Sequence, residues 1–188
     1  MRQHSFTTWL DRAIATAQKA TAAILKFYAL LFLLAIVVIL YEIVARALGY
    51  ATVLSVELSG YVMASMVAWA STYTLFQRAH IRIDILYVRR SNAIKNLLDV
   101  MSIFLFFLVA VFLAWSSLSL MLESVEYGLV SNTTLRIPMW IPQLSWGLGF
   151  AWLAVCSALL TIKSTVAWAN NDRDAVATAV GATEESPL

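Results

Sequence analysis

FYALLFLLAIVVILY, Phe27 to Tyr41, is a run of 15 residues without a single charge, and its reading decides the fold class. A hydrocarbon core of roughly 30 Å takes about 20 apolar residues of helix, a length the run reaches by continuing past Glu42 and Arg46 to Leu48. Outward along the chain lie three more such stretches, Leu58 to Phe76, Val100 to Leu122 and Ile137 to Ile162. With 61% hydrophobic and 13% charged residues over 188 positions, the chain is more apolar than a soluble domain of this size needs for its core. The expected fold is therefore an all-α integral membrane protein with four transmembrane helices. The spans fall near residues 26–48, 56–76, 98–122 and 139–162, within a membrane domain covering 26–163.

Orientation follows from where the cations fall. Arg2, Arg12, Lys19 and Lys26 precede the first span; Arg78, Arg82, Arg89, Arg90 and Lys95 lie between the second and third; Lys163 and Arg173 follow the fourth. The other two connections hold only Arg46 and Arg136, together with the acidic Glu123 and Glu126. Both termini and the middle loop are therefore expected in the cytoplasm. The net charge of +2 is a record of topology, and no basic patch interleaved with aromatics is left over to bind nucleic acid.

The first 25 residues read as an amphipathic helix. Phe6, Trp9, Leu10, Ala13, Ile14 and Ala17 recur at helical spacing, with Asp11, Arg12, Gln18 and Lys19 mostly off that face. Such a segment is expected to lie in the inner headgroup plane before the first span turns inward; the alternative is a cytosolic extension of the helix with no membrane contact. A basic leader, an apolar run and the triplet Ala45-Arg46-Ala47 also sketch a cleavable signal peptide; the length of the leader and the continuation of the apolar run favour an uncleaved span. Residues 164–188, rich in Asn, Asp, Ala, Thr and Glu towards their end, are expected to form a mobile tail.

Within a bilayer, helices associate by close packing, because lipid is as apolar as leucine. The second span carries Gly60, Ala64, Ala68 and Thr72 at a spacing of four, and the fourth carries Gly147, Ala151, Ala154 and Ala158 along one face, whereas the third is bulky with Phe104, Phe106, Phe107, Phe112 and Trp115. The second and fourth helices are thus expected to pack tightly, leaving the third to face lipid or a larger partner.

The polar residues exclude several functions. No ionisable group falls near the middle of a span, where a solitary transporter would carry one. Glu42 lies near the outer end of the first span, four residues before Arg46, and Glu57 opens the second, where a carboxylate suits the positive end of the helix dipole. Both read as structural first, with a role in coupling or partner contact as the alternative. His4 and His80 flank the spans, so paired axial ligands for a haem anchor are missing, and the single Cys156 provides neither a disulfide framework nor a thiolate metal site. No catalytic set is present, and neither a metal nor a cofactor is expected.

That leaves QRAHIRIDILYVRRS, Gln77 to Ser91. Read as a helix it places His80 and Asp84 on one face; read as an extended strand it alternates Ile81, Ile83 and Ile85 with His80, Arg82 and Asp84. Neither arrangement makes a catalytic site, and the residue chemistry suits a positive-inside anchor on lipid phosphates. The run RAHIRIDIL after the second of four spans, Glu57 early in that span, and TTLRIPMWIPQLSWGLGF, Thr133 to Phe150, with its Pro-x-Trp-x-Pro step, resemble the small, Q-type permease subunit of TRAP (tripartite ATP-independent periplasmic) transporters. The likeness covers roughly Lys26 to Lys163; Ala79 stands where glycine is frequent, and Ala70 and Ser71 replace a glycine-containing step.

The resemblance implies a multi-pass protein of the bacterial inner membrane that accompanies a large membrane subunit of about a dozen spans. A periplasmic binding protein would deliver an organic acid, and sodium would drive its uptake through the large subunit. The small subunit would be a fixed scaffold. In that setting Arg78, Arg82, Arg89 and Arg90 would set depth at the inner leaflet, with His80 and Asp84 orienting the turn or meeting the large subunit. An autonomous four-helix exporter, or an anchor subunit of another membrane complex, is the competing reading.

Overall fold

Residues 2–50, 54–77, 92–133, 135–170 and Val176 are described in a computed structural model of the chain. They form four helices: α1 (Arg2–Ala47), α2 (Leu54–Phe76), α3 (Asn92–Glu126) and α4 (Trp140–Ala169). Among the described residues the only extended pairing is an isolated antiparallel bridge between Val130 and Pro138. The all-helical expectation holds.

α1 is a single helix of 46 residues, about 69 Å long at 1.5 Å per residue. The expected turn between an interfacial leader and the first span is absent. The reason is local: from Arg2 to Ala47 there is neither glycine nor proline to break the helix, and the junction, Lys19 to Leu25, is rich in alanine. Packing then holds the leader in line. Leu10, Ile14, Ala17 and Thr21 are buried, and Ile14 and Ala17 belong to the same apolar core as Leu153, Cys156 and Leu160 of α4. Asp11 meets Lys163 (2.7 Å), Trp152 donates to Thr21 Oγ1 (2.9 Å), and Tyr28 Oη lies 2.7 Å from Ser145 Oγ. Each step towards the end of α1 thus matches a step back along α4, and the two helices run antiparallel in a fixed register.

α1 and α3 end in the same device. Gly49 (φ +89°) and Gly128 (φ +60°) adopt the left-handed conformation just past the helix. Tyr50 N–H returns to Ala45 O (3.0 Å) and Gly49 N–H to Arg46 O (3.1 Å); Leu129 N–H returns to Ser124 O (2.9 Å) and Gly128 N–H to Val125 O (3.3 Å). These are Schellman caps, in which glycine avoids the Cβ clash that a left-handed residue otherwise incurs. α4 starts with Pro142 in its first turn, where the missing N–H has no helical acceptor to lose.

α4 is the centre of the bundle, with its backbone close to α1, α2 and α3, while α3 approaches α4 alone among the described residues. α1, α3 and α4 are long and apolar enough to cross a membrane. α2 spans 23 residues but is diluted by hydroxyls at Ser55, Ser59, Ser65, Ser71, Thr72 and Thr74, so its crossing does not follow from length and composition.

Candidate functional site: a polar clasp at one end of the bundle

Where α1 ends, α2 begins and the α3–α4 connection passes, two buried carboxylates are used within one turn of α2: Glu42 of α1 at Ser55, and Glu57 of α2 itself. Glu42, 3% exposed, sits in the last turns of α1. Its Oε2 accepts from the backbone N–H of Ser55 (2.9 Å), one of the donors that the start of α2 cannot satisfy internally, and its Oε1 accepts from Arg46 (2.8 Å). Arg46 is mostly exposed, so the ion pair adds little. The bond to α2 is the structural part of the arrangement.

Glu57, 8% exposed, faces the α3–α4 connection. Tyr61 Oη donates to its Oε1 (2.7 Å) and Thr133 Oγ1 donates to its Oε2; the Thr133 and Ser131 hydroxyls lie 2.8 Å apart. Tyr61 Oη also reaches Met139 Sδ (3.6 Å). The connection is shaped to deliver those hydroxyls: Ser131 N–H donates to Ile137 O (2.9 Å) and Met139 N–H to Leu129 O (3.0 Å), closing a short loop whose tip holds Arg136 at φ +47°. Two carboxylates thus bind α1 to α2 and α2 to the α3–α4 loop. Among the described residues no three of His, Cys, Asp and Glu gather as a metal site. The arrangement can hold elements together.

Deeper in the bundle a second polar contact joins three helices. Trp69 Nε1 donates to Ser145 O (3.2 Å), and the Tyr28 and Trp69 rings stack with centroids 6.2 Å apart. Beside it the backbones of α2 and α4 meet: a Cβ on Gly149 would lie 2.9 Å from Ala68 Cβ and 3.2 Å from the Ala68 carbonyl carbon.

Of the residues singled out in the sequence, Arg78, His80, Arg82, Asp84, Arg89 and Arg90 lie outside the described residues. Glu57 is in the clasp. Ala68 is fully buried at the Gly149 contact and Ala64 is half-buried, whereas Gly60 is exposed and a Cβ there would meet nothing within 4 Å. Gly147 faces α3, where a Cβ would lie 3.3 Å from Leu118 Cδ2, and Ala151 is half-buried. Gly149, Tyr28, Ser145 and the Ser131/Thr133 pair went unnoticed in the sequence, as did Asn96 and Asp99, buried in the first turns of α3. Gly149 alone had a local signal, lying in the small-residue stretch Gly147-Leu148-Gly149.

Against known proteins, the family model described as "Tripartite ATP-independent periplasmic transporters, DctQ component" matches residues 35–167. Comparison with curated proteins and with solved structures gives no match.

Proposed function

The chain belongs to the DctQ-component family of tripartite ATP-independent periplasmic transporters, and from that premise we propose that it is the fixed companion of the large permease subunit in sodium-driven, binding-protein-dependent uptake of an organic acid. It is a multi-pass membrane protein and a transport subunit. The observation that carries the scaffold role is how the carboxylates are used: Glu42 and Glu57 are buried at one end of the bundle and already bonded to Ser55, Arg46, Tyr61 and Thr133. Neither is left to bind a moving ion or substrate. That also counts against an autonomous exporter, which would need a carboxylate open to substrate inside its first span.

In this reading α2 crosses the bilayer as well, with the Ser59, Ser71 and Thr74 hydroxyls turned to helix carbonyls, as in Ser71 to Val67 O (2.8 Å). Both termini and residues 78–91 face the cytoplasm of a bacterial cell, and the clasp faces the periplasm. The arginines of the 78–90 stretch hold the inner leaflet while His80 and Asp84 orient the turn or meet the large subunit.

Co-purification with the large subunit tests the proposal. Arg82→Ala and Asp84→Ala are expected to lower recovery of the pair, because removing one member of a partly desolvated charge contact leaves the other uncompensated at a cost of about 3 kcal/mol, with uptake falling in proportion. A variant that assembles normally but shifts sodium dependence or substrate affinity in proteoliposomes would place this stretch in the transport site and overturn the scaffold role. Labelling of a cysteine at Ser91 from outside intact cells would overturn the orientation.

A further inference from the structure

A groove of about 380 Å³ opens sideways between the first half of α1 and α4, with Trp9, Arg12, Ala13, Ala20, Trp152 and Leu159 among its lining. Ala13, Ala17 and Ala20 recur at helical spacing and leave its floor shallow in side chains, while Trp152 and Leu159 rise from α4 as the far wall. From Trp9 to Ala20 the slot runs about 16 Å along α1, the reach of roughly a dozen acyl carbons.

One end of this apolar slot is cationic. Arg12 is exposed, and among the described residues its guanidinium has no ion-pair partner. The neighbouring acid is already engaged, since Asp11 pairs with Lys163 at 2.7 Å, and the Thr16 hydroxyl turns back to Arg12 O (2.8 Å). Trp9, 57% exposed, stands beside it, a residue type that settles at headgroup level. The contacts along the two helices follow the same order: the charged Asp11–Lys163 pair lies at the cationic end of the groove, and the Thr21–Trp152 and Tyr28–Ser145 contacts follow along α1.

A cation and an indole at one end and a hydrocarbon slot at the other complement an amphiphile with an anionic head. We propose that this groove binds one glycerophospholipid of the bilayer, its phosphate on Arg12 and one acyl chain laid over Ala13, Ala17 and Ala20 against Trp152 and Leu159. A soluble phosphate would use the guanidinium and leave the slot unfilled. A partner helix, 10–12 Å across, would lie over a groove of this volume rather than enter it. The site is independent of the orientation proposed above, because it belongs to whichever leaflet the start of α1 meets.

Native mass spectrometry of the full chain co-purified with its large subunit in mild detergent, with added phosphatidylglycerol, tests this. One retained phospholipid is expected. Arg12→Gln should lower its occupancy about fivefold, while Lys19→Gln, which removes an exposed cation outside the groove, should leave it unchanged. Ala13→Phe should fill the slot and abolish retention, with circular dichroism confirming that the helices remain. Equal occupancy in Arg12→Gln and the native chain, or equal loss in Lys19→Gln, overturns the site. So does a benzophenone at position 13 that crosslinks to the large subunit in place of lipid.

Discussion

α4 and α3 are neighbours of similar apolarity with opposite places in the bundle. α4 lies against all three other helices and buries mostly small residues, Gly147, Gly149, Cys156, Ser157, Ser164 and Ala167, beside Leu153 and Leu160; among the described residues α3 approaches only α4, and it exposes Phe104, Leu105, Leu108, Phe112 and Trp115. In water the larger apolar residues would be the buried ones. In lipid no such force operates between helices, and what decides is how closely two backbones can come. Inside and outside in this chain are therefore written in side-chain volume rather than in polarity.

The strongest way to break that contrast is to enlarge the closest contact of α4. Gly149→Leu would place a branched side chain where even a Cβ lies 2.9 Å from Ala68 Cβ, and the atom opposite is on backbone-proximal carbon that cannot swing away. Overpacking costs about 1–3 kcal/mol where side chains alone must move, and more where backbones separate. The variant is expected to lose most of its thermal stability in detergent and most of its recovery with the large subunit. Ala68→Leu attacks the same contact from α2, so the double variant should cost less than the two singles combined. An unchanged melting temperature in Gly149→Leu would mean that α4 is not the centre.

Next in size is the clasp, which ties the far end of α3 to α2 through the connecting loop. Glu57→Ala removes the acceptor for both the half-buried Tyr61 and the exposed Thr133, and each hydrogen bond lost to a charged group in such a setting costs about 1.5 kcal/mol. The expected result is a lower melting temperature and faster proteolysis within 129–139, with the α1–α2 junction at Glu42 unaffected. Glu57→Gln, which keeps an acceptor oxygen, should lose less than half as much.

These two sites also mark how far the sequence could be read. The four helices were legible because apolar runs of about 20 residues admit one structure in lipid. The family was legible because RAHIRIDIL and the Pro-x-Trp-x-Pro step keep their places relative to the spans. Gly149 is not legible in the sequence because Gly147, Ala151, Ala154 and Ala158 also fall along one face, whereas a buried face runs through Gly149, Leu153, Cys156, Leu160 and Ser164. Small residues sit on both faces, so composition could not choose between them. The clasp was half legible: Glu57 stood out as a charge, but its partners Ser131 and Thr133 are ordinary loop hydroxyls 76 positions away at the nearest bond. The unbroken α1 was one of two readings of the leader, because periodicity predicts a helix on either side of residue 25 without saying whether the axis bends there.

A smaller effect is expected on the outward face of α3. Trp115 is 74% exposed, so Trp115→Ala should change the stability of the isolated chain by no more than about 0.5 kcal/mol. The same variant sharpens the contrast in the assembled complex: a drop in recovery with the large subunit assigns this face to the partner, and no drop assigns it to lipid.

The smallest expected effect is at Gly60, which shared a four-residue ladder with Ala64 and Ala68 but does not share their surroundings. A Cβ on Gly149 would collide with α2, whereas one on Gly60 would meet nothing within 4 Å. Gly60 lies inside α2, away from either end, where glycine costs a helix roughly 0.5–1 kcal/mol relative to alanine through its greater freedom when unfolded. Gly60→Ala is therefore expected to raise the melting temperature of the isolated chain slightly, by less than that range because a bilayer already favours helix in the unassembled state. The complex then decides what the position is for. If recovery with the large subunit is unchanged, the glycine contacts only lipid and the ladder ends at Ala64. If recovery falls while the isolated chain is stabilised, a partner helix approaches α2 at Gly60 as closely as α4 does at Ala68, and small residues mark two seams on one helix. A loss of stability in the isolated chain is the outcome that neither case permits, and it would show that volume alone does not separate the inside of this bundle from its surface.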